Sequence, residues 1–553
     1  MSTDNEVKSK TRTETMKEVA GDARMVSSGS HFFKGTIILT IAGIVVKVIG
    51  SLNWIFLSRI LGGEGIGIYQ MAYPLYLLAL SISSAGIPVA ISIITAEKIA
   101  IGDYRGASRV FNLSFVLLMI TGIALSVMLY FGTGQLIEYR IIRDPRAYYS
   151  LIALSPAIFL VTLLSSFRGY LQGWQIMKPT AISQIVEQLF RVGAMLVFAS
   201  LLLPKGLSYA AGGASLGAGA GAAAALLVLI YYYWGLKKKT SQSIAVENNT
   251  AIREDGMTII RRIANLALPV SLSSIILPLV ANLDLFIVPL RLEEAGYTVE
   301  QATEFFGYLT GMAVPLVNLA TILTAALATS LVPAISRVNS LGQKREVFYR
   351  TAGAMRFANI ATIPFGLMLW LLAEPVVSAI YHAPGAAGAT RVLAASVFLL
   401  GIHQVTTGVL QGLGRTAIPV INMVISAFVK VGLNWTLTAI PALGIQGAAW
   451  ATLADIGIAA ALNLYFVYRY TGFFLSASDL IKNIGAAAVM GGIMYFTYTP
   501  LLDLLKSEIL AIGFCSLGGG LAYLGMMLLT GGLNQRDLER MPIFGPILKK
   551  RLQ

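Results

Sequence analysis

The sequence predicts an all-α polytopic membrane protein of about 14 transmembrane helices, arranged as two six-helix bundles related by a pseudo-two-fold axis, plus two extra C-terminal helices. Three observations predict it. The 553 residues are 56% hydrophobic and only 12% charged, with a mean hydropathy of +0.73, which is too apolar for a soluble domain. Apolar segments long enough to cross about 30 Å of hydrocarbon recur along the chain. A seam also recurs: GYLQG (169–173) answers GVLQG (408–412), and RVG (191–193) answers KVG (430–432), both at an offset of 239 residues.

In chain order, residues 1–34 are polar and mixed in charge, the composition of a disordered tail. They lack a signal-peptide cleavage pattern, so no cleavage is expected. Six spans follow at 35–60, 67–95, 109–132, 148–171, 179–203 and 208–235, forming an N-terminal bundle over 35–235. GGEGIG (62–67) reads as a loop between the first two. The polar stretch 236–260 holds KKK, VENNT and IREDG and reads as a linker. A second bundle over 261–468 has spans at 261–290, 304–333, 352–373, 389–412, 416–440 and 443–468. Spans 480–503 and 508–530 make a separate pair within 469–530, before a basic tail at 531–553. MAYP (71–74) parallels MAVP (312–315), and PVAIS (88–92) parallels PAIS (333–336). Repeats separated by an even number of helices have parallel topology, which puts the pseudo-two-fold axis along the membrane normal. Gly213, Gly217 and Gly221, at four-residue spacing, predict a close helix contact. Prolines such as Pro74, Pro278 and Pro315 predict bends whose freed backbone groups need partners.

Charge fixes the expected orientation. With the N-terminus cytoplasmic, 30 of the 41 Lys and Arg fall in cytoplasmic segments and 8 in outer loops, as the positive-inside rule requires. Both termini are expected to be cytoplasmic, in a multi-pass bacterial cell membrane protein, and a monomer is expected. The net charge of +14 is then topological, and no nucleic-acid partner is expected. One cysteine, Cys515, and three scattered histidines exclude intrachain disulfides, Cys-based zinc sites and HExxH chemistry. Without a Walker A motif, energy must come from an ion, substrate or potential gradient. No catalytic constellation is visible, so the chain reads as a transporter and not an enzyme.

Ionisable groups inside a membrane span are costly and usually face a cavity or a partner. Lys47 lies halfway along the first span, with Gly50, Ser51 and Trp54 near its face and Asn53 beside them. The fifth span carries Glu187 and Arg191, four apart and able to pair, with Gln188 between them. Gln404 and Gln411 share a face of the tenth span with Thr407. Lys430, Asn434 and Thr438 form a polar stripe on the eleventh; Asp284 and Asp455 lie on the seventh and twelfth. A buried carboxylate beside an amide and a hydroxyl could hold Na⁺ through oxygen ligands or take up a proton; alternatively, Lys430 neutralises Asp284. Three mid-membrane cations, Lys47, Arg191 and Lys430, suit an anionic group such as phosphate or pyrophosphate, whose bare burial would be prohibitive. Arg168, at the cytoplasmic end of the fourth span, reads as a portal or gate residue.

The motifs EGIGIYQMAYPLYLLALSISSAGIPVAIS (64–92), FRGYLQG (167–173) with PTAISQIVEQ (179–188), NLDLFIVPLRLEEAG (282–296), GMAVPL (311–316), ALATSLVPAIS (326–336) and GVLQGLG (408–414) carry a family resemblance. The chain resembles the polysaccharide-transport branch of the multidrug/oligosaccharidyl-lipid/polysaccharide (MOP) exporter superfamily, within it the group of stage V sporulation proteins and MurJ-type lipid II flippases. The resemblance implies alternating access and outward movement of an undecaprenyl-pyrophosphate-linked saccharide, with lipid II favoured and membrane lipids as partners. It implies a lipid-tail groove at the last two spans, and a possible Na⁺ site at Asp284, Asn434, Thr438 and Thr452; no other cofactor is implied. Those flippases carry several arginines in helices one, two and eight, where this chain has only Lys47. The alternatives are a cation-coupled multidrug exporter of the same superfamily and a membrane glycosyltransferase.

Overall fold

The computed structural model describes residues 29–84, 86–246 and 254–533. Most of the expected 1–34 tail, the middle of the linker and most of the 531–553 tail lie outside the described residues. Among the described residues every regular element is helical. In order they are α1 (Gly29–Ser84), α2 (Ile87–Ala100), α3 (Tyr104–Glu138), α4 (Tyr148–Gly173), α5 (Met177–Leu202), α6 (Leu207–Val246) and α7 (Gly256–Glu294). There follow α8 (Val299–Gly307), a π-helical turn (Tyr308–Ala313), α9 (Val314–Ala320), α10 (Ile322–Ser340), α11 (Lys344–Leu371) and α12 (Ala373–Tyr381). The chain continues through α13 (Ala387–Ala394), α14 (Ser396–Gly412), α15 (Ala417–Leu437), α16 (Ile445–Thr471), α17 (Ala477–Leu505) and α18 (Glu508–Leu529).

Twelve described helical stretches are long and apolar enough to cross a membrane, or thirteen if the bent pair Pro384–Ala394 and Ser396–Gly412 is one span. The first stretch, Ile41–Ala100, has 60 residues, far more than the roughly 20 one crossing needs. Its path turns at Gly62, where φ is 65° and ψ −174°. A backbone conformation open to glycine lets the chain change direction at one residue. The Gly-rich stretch expected as a loop is therefore a kink, with Glu64–Gly67 already helical. The count is compatible with the fourteen segments read from the sequence. The linker also differs in extent: α6 continues to Val246 before α7 begins at Gly256.

The repeated seam acts alike in both places. A Cβ on Gly169 would lie 2.7 Å from the Pro88 carbonyl, and one on Gly173 2.6 Å from Thr95 Cβ. Gly408 and Gly412 press in the same way on Ala328 and Ile335. Each LQG glycine pair thus seats its helix on the one carrying PVAIS or PAIS. The Gly213, Gly217, Gly221 stripe brings α6 onto α5, against the carbonyls of Phe198, Arg191 and Glu187 in turn. That contact fixes the backbone from which Glu187 and Arg191 project. Asn282 of α7 donates to the carbonyls of Pro74 (2.9 Å) and Pro278 (2.7 Å), tying α7 to α1 beside these prolines.

The two halves meet at the end that carries Gly62. One apolar cluster there joins Ile66, Met71 and Leu151 to Phe306, Met312 and Leu393. Arg59 donates to the carbonyls of Ala379 (2.7 Å) and Ile380 (2.8 Å), a cation on the last turn of α12. Thr303 donates to Asp144 at 2.7 Å, and Arg143 pairs with Glu293 at 3.3 Å. At the opposite, linker end, the apolar clusters around Phe111, Phe167 and Tyr170 and around Ile335, Val409 and Phe473 stay separate. Among the described residues, only the start of α7 and the residues just before it bridge there, through Ile259 and Ile263 packed on Ala90 and Ile94 and a Lys98–Glu254 pair at 3.0 Å.

At the Gly62 end, a Cβ on Gly67 would overlap the Thr303 carbonyl, and one on Gly307 the Gly63 carbonyl. Gly67→Val is therefore expected to lower stability by about 1–3 kcal/mol, the usual cost of overpacking a tight contact. The check is the melting temperature of the purified chain; an unchanged value would mean that this approach is not part of its ground state.

Candidate functional site

A cavity of about 430 Å³ lies where the halves face each other. Its walls come from α1 on both sides of Gly62 (Lys47, Gly50, Asn53, Trp54, then Tyr69 and Tyr73), from α5 (Gln188, Arg191), from α9 and α10 with the residue between them (Asn318, Thr321), and from α14 (Gln404). Six residues expected from sequence to contact substrate, Lys47, Asn53, Trp54, Gln188, Arg191 and Gln404, are thus brought together from three distant segments. Among the described residues, the only charged groups on the lining are Lys47 and Arg191, both cationic. Gln188 reaches the cavity beside Gly50, where a Cβ would sit 3.2 Å from its Nε2. Gln404 is held by Thr324, whose hydroxyl donates to Oε1 at 2.5 Å. Asn53 is buried, with its Nδ2 3.1 Å from Met195 Sδ and its Oδ1 unpartnered.

Behind the cavity wall, Glu187 is shared by two guanidinium groups. Arg191 Nη2 lies 2.5 Å from Oε1, and Arg168 Nη2 2.9 Å from Oε2. Arg168 is further fixed by Ser183 Oγ at 3.1 Å. The expected Glu187–Arg191 pair is present, and Arg168 belongs to the same triad. Two cations on one carboxylate leave a formal charge of +1.

The second half holds the inverse. Lys430 Nζ lies 2.5 Å from Asp284 Oδ2 and 4.0 Å from Asp455 Oδ2. Asn434 Nδ2 donates to Asp284 Oδ1 at 2.8 Å, and Ser426 donates to Asp455 Oδ1 at 2.6 Å. Two carboxylates on one ammonium leave a formal −1. Arg191 and Lys430 occupy matching places in the seam, but the acid beside Arg191 is on its own helix, whereas α15 has Ser426 there and borrows acids from α7 and α16.

Asp284, Asn434 and Thr438 were candidate Na⁺ ligands. Both oxygens of Asp284 are taken, one by the Lys430 ammonium, so the residues as arranged do not fit Na⁺. Asn434 Oδ1 and the fully buried Thr438 Oγ1 remain unpartnered. Thr452 lies on α16, three residues before Asp455. Among the described residues no three His, Cys, Asp or Glu side chains gather as a metal-holding group. Gln411 is exposed near the end of α14 and does not line the cavity. Lys430 likewise does not line it.

Reasoning from sequence missed Tyr69, Tyr73, Asn318 and Thr321. A signal was present, because the MAYP and MAVP repeats end at Tyr73–Pro74 and Val314–Pro315, and Tyr73 and Pro315 both line the cavity.

Comparison with known proteins follows the same lines. The family model described as "Polysaccharide biosynthesis protein" matches residues 32–339, and the one described as "MatE" matches residues 310–436. The chain is 30% identical over 521 residues to stage V sporulation protein B of Bacillus subtilis, covering 94% of this chain and 99% of that protein. It is 26% identical to the lipid II flippase MurJ of the same organism, covering 84% and 87%. Among solved structures, the inward closed conformation of lipid II flippase MurJ superposes with a TM-score of 0.66 at 17% identity, over 91% of this chain and all of that one. This last likeness shows the fold.

Proposed function

The chain belongs to the polysaccharide biosynthesis protein family, within the MOP superfamily of transporters and flippases, and on that premise we propose that it flips an undecaprenyl-pyrophosphate-linked saccharide, lipid II being favoured, from the inner to the outer leaflet. The observation that carries this reading is the cavity lining, whose only charges among the described residues are Lys47 and Arg191. A phosphate entering a low-dielectric cavity needs such compensation, whereas a cationic drug would be repelled by it. At about 430 Å³ the cavity is near the small end of ligand pockets, roughly 300–1,000 Å³. It suits a head group, and the polyprenyl tail stays in the lipid, along the groove proposed beside α17 and α18.

Alternating access follows from the unequal ends. The halves share one apolar cluster at the Gly62 end and are joined at the linker end through the start of α7, so on this reading the cavity opens toward the linker. With the basic segments cytoplasmic, that is the inner leaflet side, where the substrate would enter. For energy, Lys430 fills the place of a coupling cation, so the reading favours protons or membrane potential over Na⁺.

The match of residues 310–436 to the MatE family model sustains one competing reading, a cation-coupled small-molecule exporter. Purified protein in liposomes separates the two. The flippase reading expects faster transbilayer movement of lipid II than in protein-free vesicles, and no acceleration of a lipophilic cationic dye. Dye efflux without lipid movement would reverse the assignment.

A further inference from the structure

Beside the two cations, the cavity has a wall of a different kind. Trp54 meets Tyr69 edge-on, with ring centroids 5.9 Å apart and planes at 75°. Tyr69 stacks on Tyr73 at 5.4 Å and 23°, and Tyr73 leans on Tyr76 at 5.7 Å. Tyr69 and Tyr76 are buried, at 3% and 1% exposure, so they brace the row, while Trp54 and Tyr73 are only half-buried and stand at the cavity. The same cavity is lined by the amides of Gln188, Asn318 and Gln404 and the hydroxyls of Ser51 and Thr321.

We propose that Trp54 and Tyr73 form a saccharide platform, a subsite separate from the Lys47–Arg191 anion subsite, which reads the sugar ring next to the pyrophosphate. The proposal rests on the flippase reading above. A pyranose presents an apolar C–H face and a rim of hydroxyls. The electron-rich faces of Trp and Tyr complement the former, and side-chain amides, each both donor and acceptor, complement the latter. An aromatic wall also attracts organic cations, but here Lys47 and Arg191 line the same cavity and oppose them. A purely apolar head group would cover the Gln188 and Asn318 amides without offering them a polar partner, at a cost. Rigid aromatic residues packed on one another contribute large contact area at little entropic cost, which is why such residues dominate binding energy in other recognition sites.

The test compares two lipids on the full-length purified protein in nanodiscs: undecaprenyl pyrophosphate, and the same lipid carrying a disaccharide. Wild type is expected to bind the sugar-bearing lipid more tightly. Trp54→Leu and Tyr73→Leu are each expected to lose roughly tenfold in affinity for the sugar-bearing lipid, as for a truncated aromatic anchor, with affinity for the bare lipid unchanged. Tyr73→Phe keeps the ring and is expected to keep the preference. Melting temperatures within a few degrees of wild type separate loss of the platform from loss of the fold; if the Leu variants melt early, Trp54→Met and Tyr73→Met take their place. Equal losses for both lipids, or no loss for either, would overturn the platform while leaving the anion subsite standing. Failure of wild type to bind either lipid would overturn the flippase reading along with it, and tight binding of tetraphenylphosphonium in their place would assign the aromatic wall to cations.

Discussion

Asp284→Asn is expected to be among the most destabilising single substitutions in this chain, costing about 3–5 kcal/mol, the usual penalty for stranding one partner of a buried ion pair. The Lys430 ammonium is buried and lies 2.5 Å from Asp284 Oδ2. Once that carboxylate becomes an amide, the remaining acid is Asp455, 4.0 Å away and already accepting from Ser426. Adding Lys430→Met to the variant removes the stranded charge, and most of the loss should return, because an apolar isostere of a buried pair is often close to neutral. Lys430→Met alone is the informative third arm. It leaves Asp284 and Asp455, both paired with the ammonium in wild type, without a cation, beside Asn434, whose Oδ1 is unpartnered. Its melting temperature should therefore rise with added Na⁺ or with acidification, by mass action on the folded state, whereas that of wild type should be indifferent to Na⁺. Thermal melts over a Na⁺ series check all three. A wild-type melting temperature that climbs with Na⁺ would mean that the ammonium does not fill the cation's place.

The contrast between the two triads also shows what could be read before any coordinates. The spans and the repeat were legible because hydropathy and short motifs are local: the glycines of GYLQG and GVLQG announce close helix contacts wherever they occur. Lys47, Gln188, Arg191 and Gln404 were legible because a polar side chain in an apolar span is expensive and so conspicuous. Tyr69 and Tyr73 were not, since an aromatic ring in a membrane helix is as much at home in lipid or core as in a cavity. Asn318 and Thr321 went unremarked because uncharged polar groups bury at modest cost. Whether Asp284 faces a free cation or Lys430 depended on how α7 approaches α15, a long-range matter that spacing along one helix cannot decide. The kink at Gly62 was hidden for a different reason: a glycine-rich stretch predicts a loop, yet a single positive φ suffices and the rest remains helical.

The +1 triad carries the largest expected effect on transport. Arg191→Ala should lower the rate of lipid II movement about tenfold or more, with little loss of membrane insertion or melting temperature. The fold should tolerate the change because Glu187 keeps Arg168, 2.9 Å away, so no carboxylate is stranded in the membrane. Function should not, because the cavity lining then keeps a single cation, Lys47, to offset a pyrophosphate, and one such charge-assisted contact is worth roughly 1.5–3 kcal/mol. Arg191→Lys should recover part of the rate and not all of it, since an ammonium cannot bridge Glu187 and a phosphate oxygen with the planar fork of a guanidinium. Glu187→Gln gives the opposite pattern. It sets two guanidinium groups against each other without a counter-charge and should hurt stability before it hurts substrate binding. Rates in proteoliposomes, normalised to reconstituted protein, together with melting curves for the same preparations, distinguish these outcomes. If Arg191→Ala moves lipid at the wild-type rate, the charge on this wall does not serve the substrate, and the triad is a structural clamp between α4 and α5.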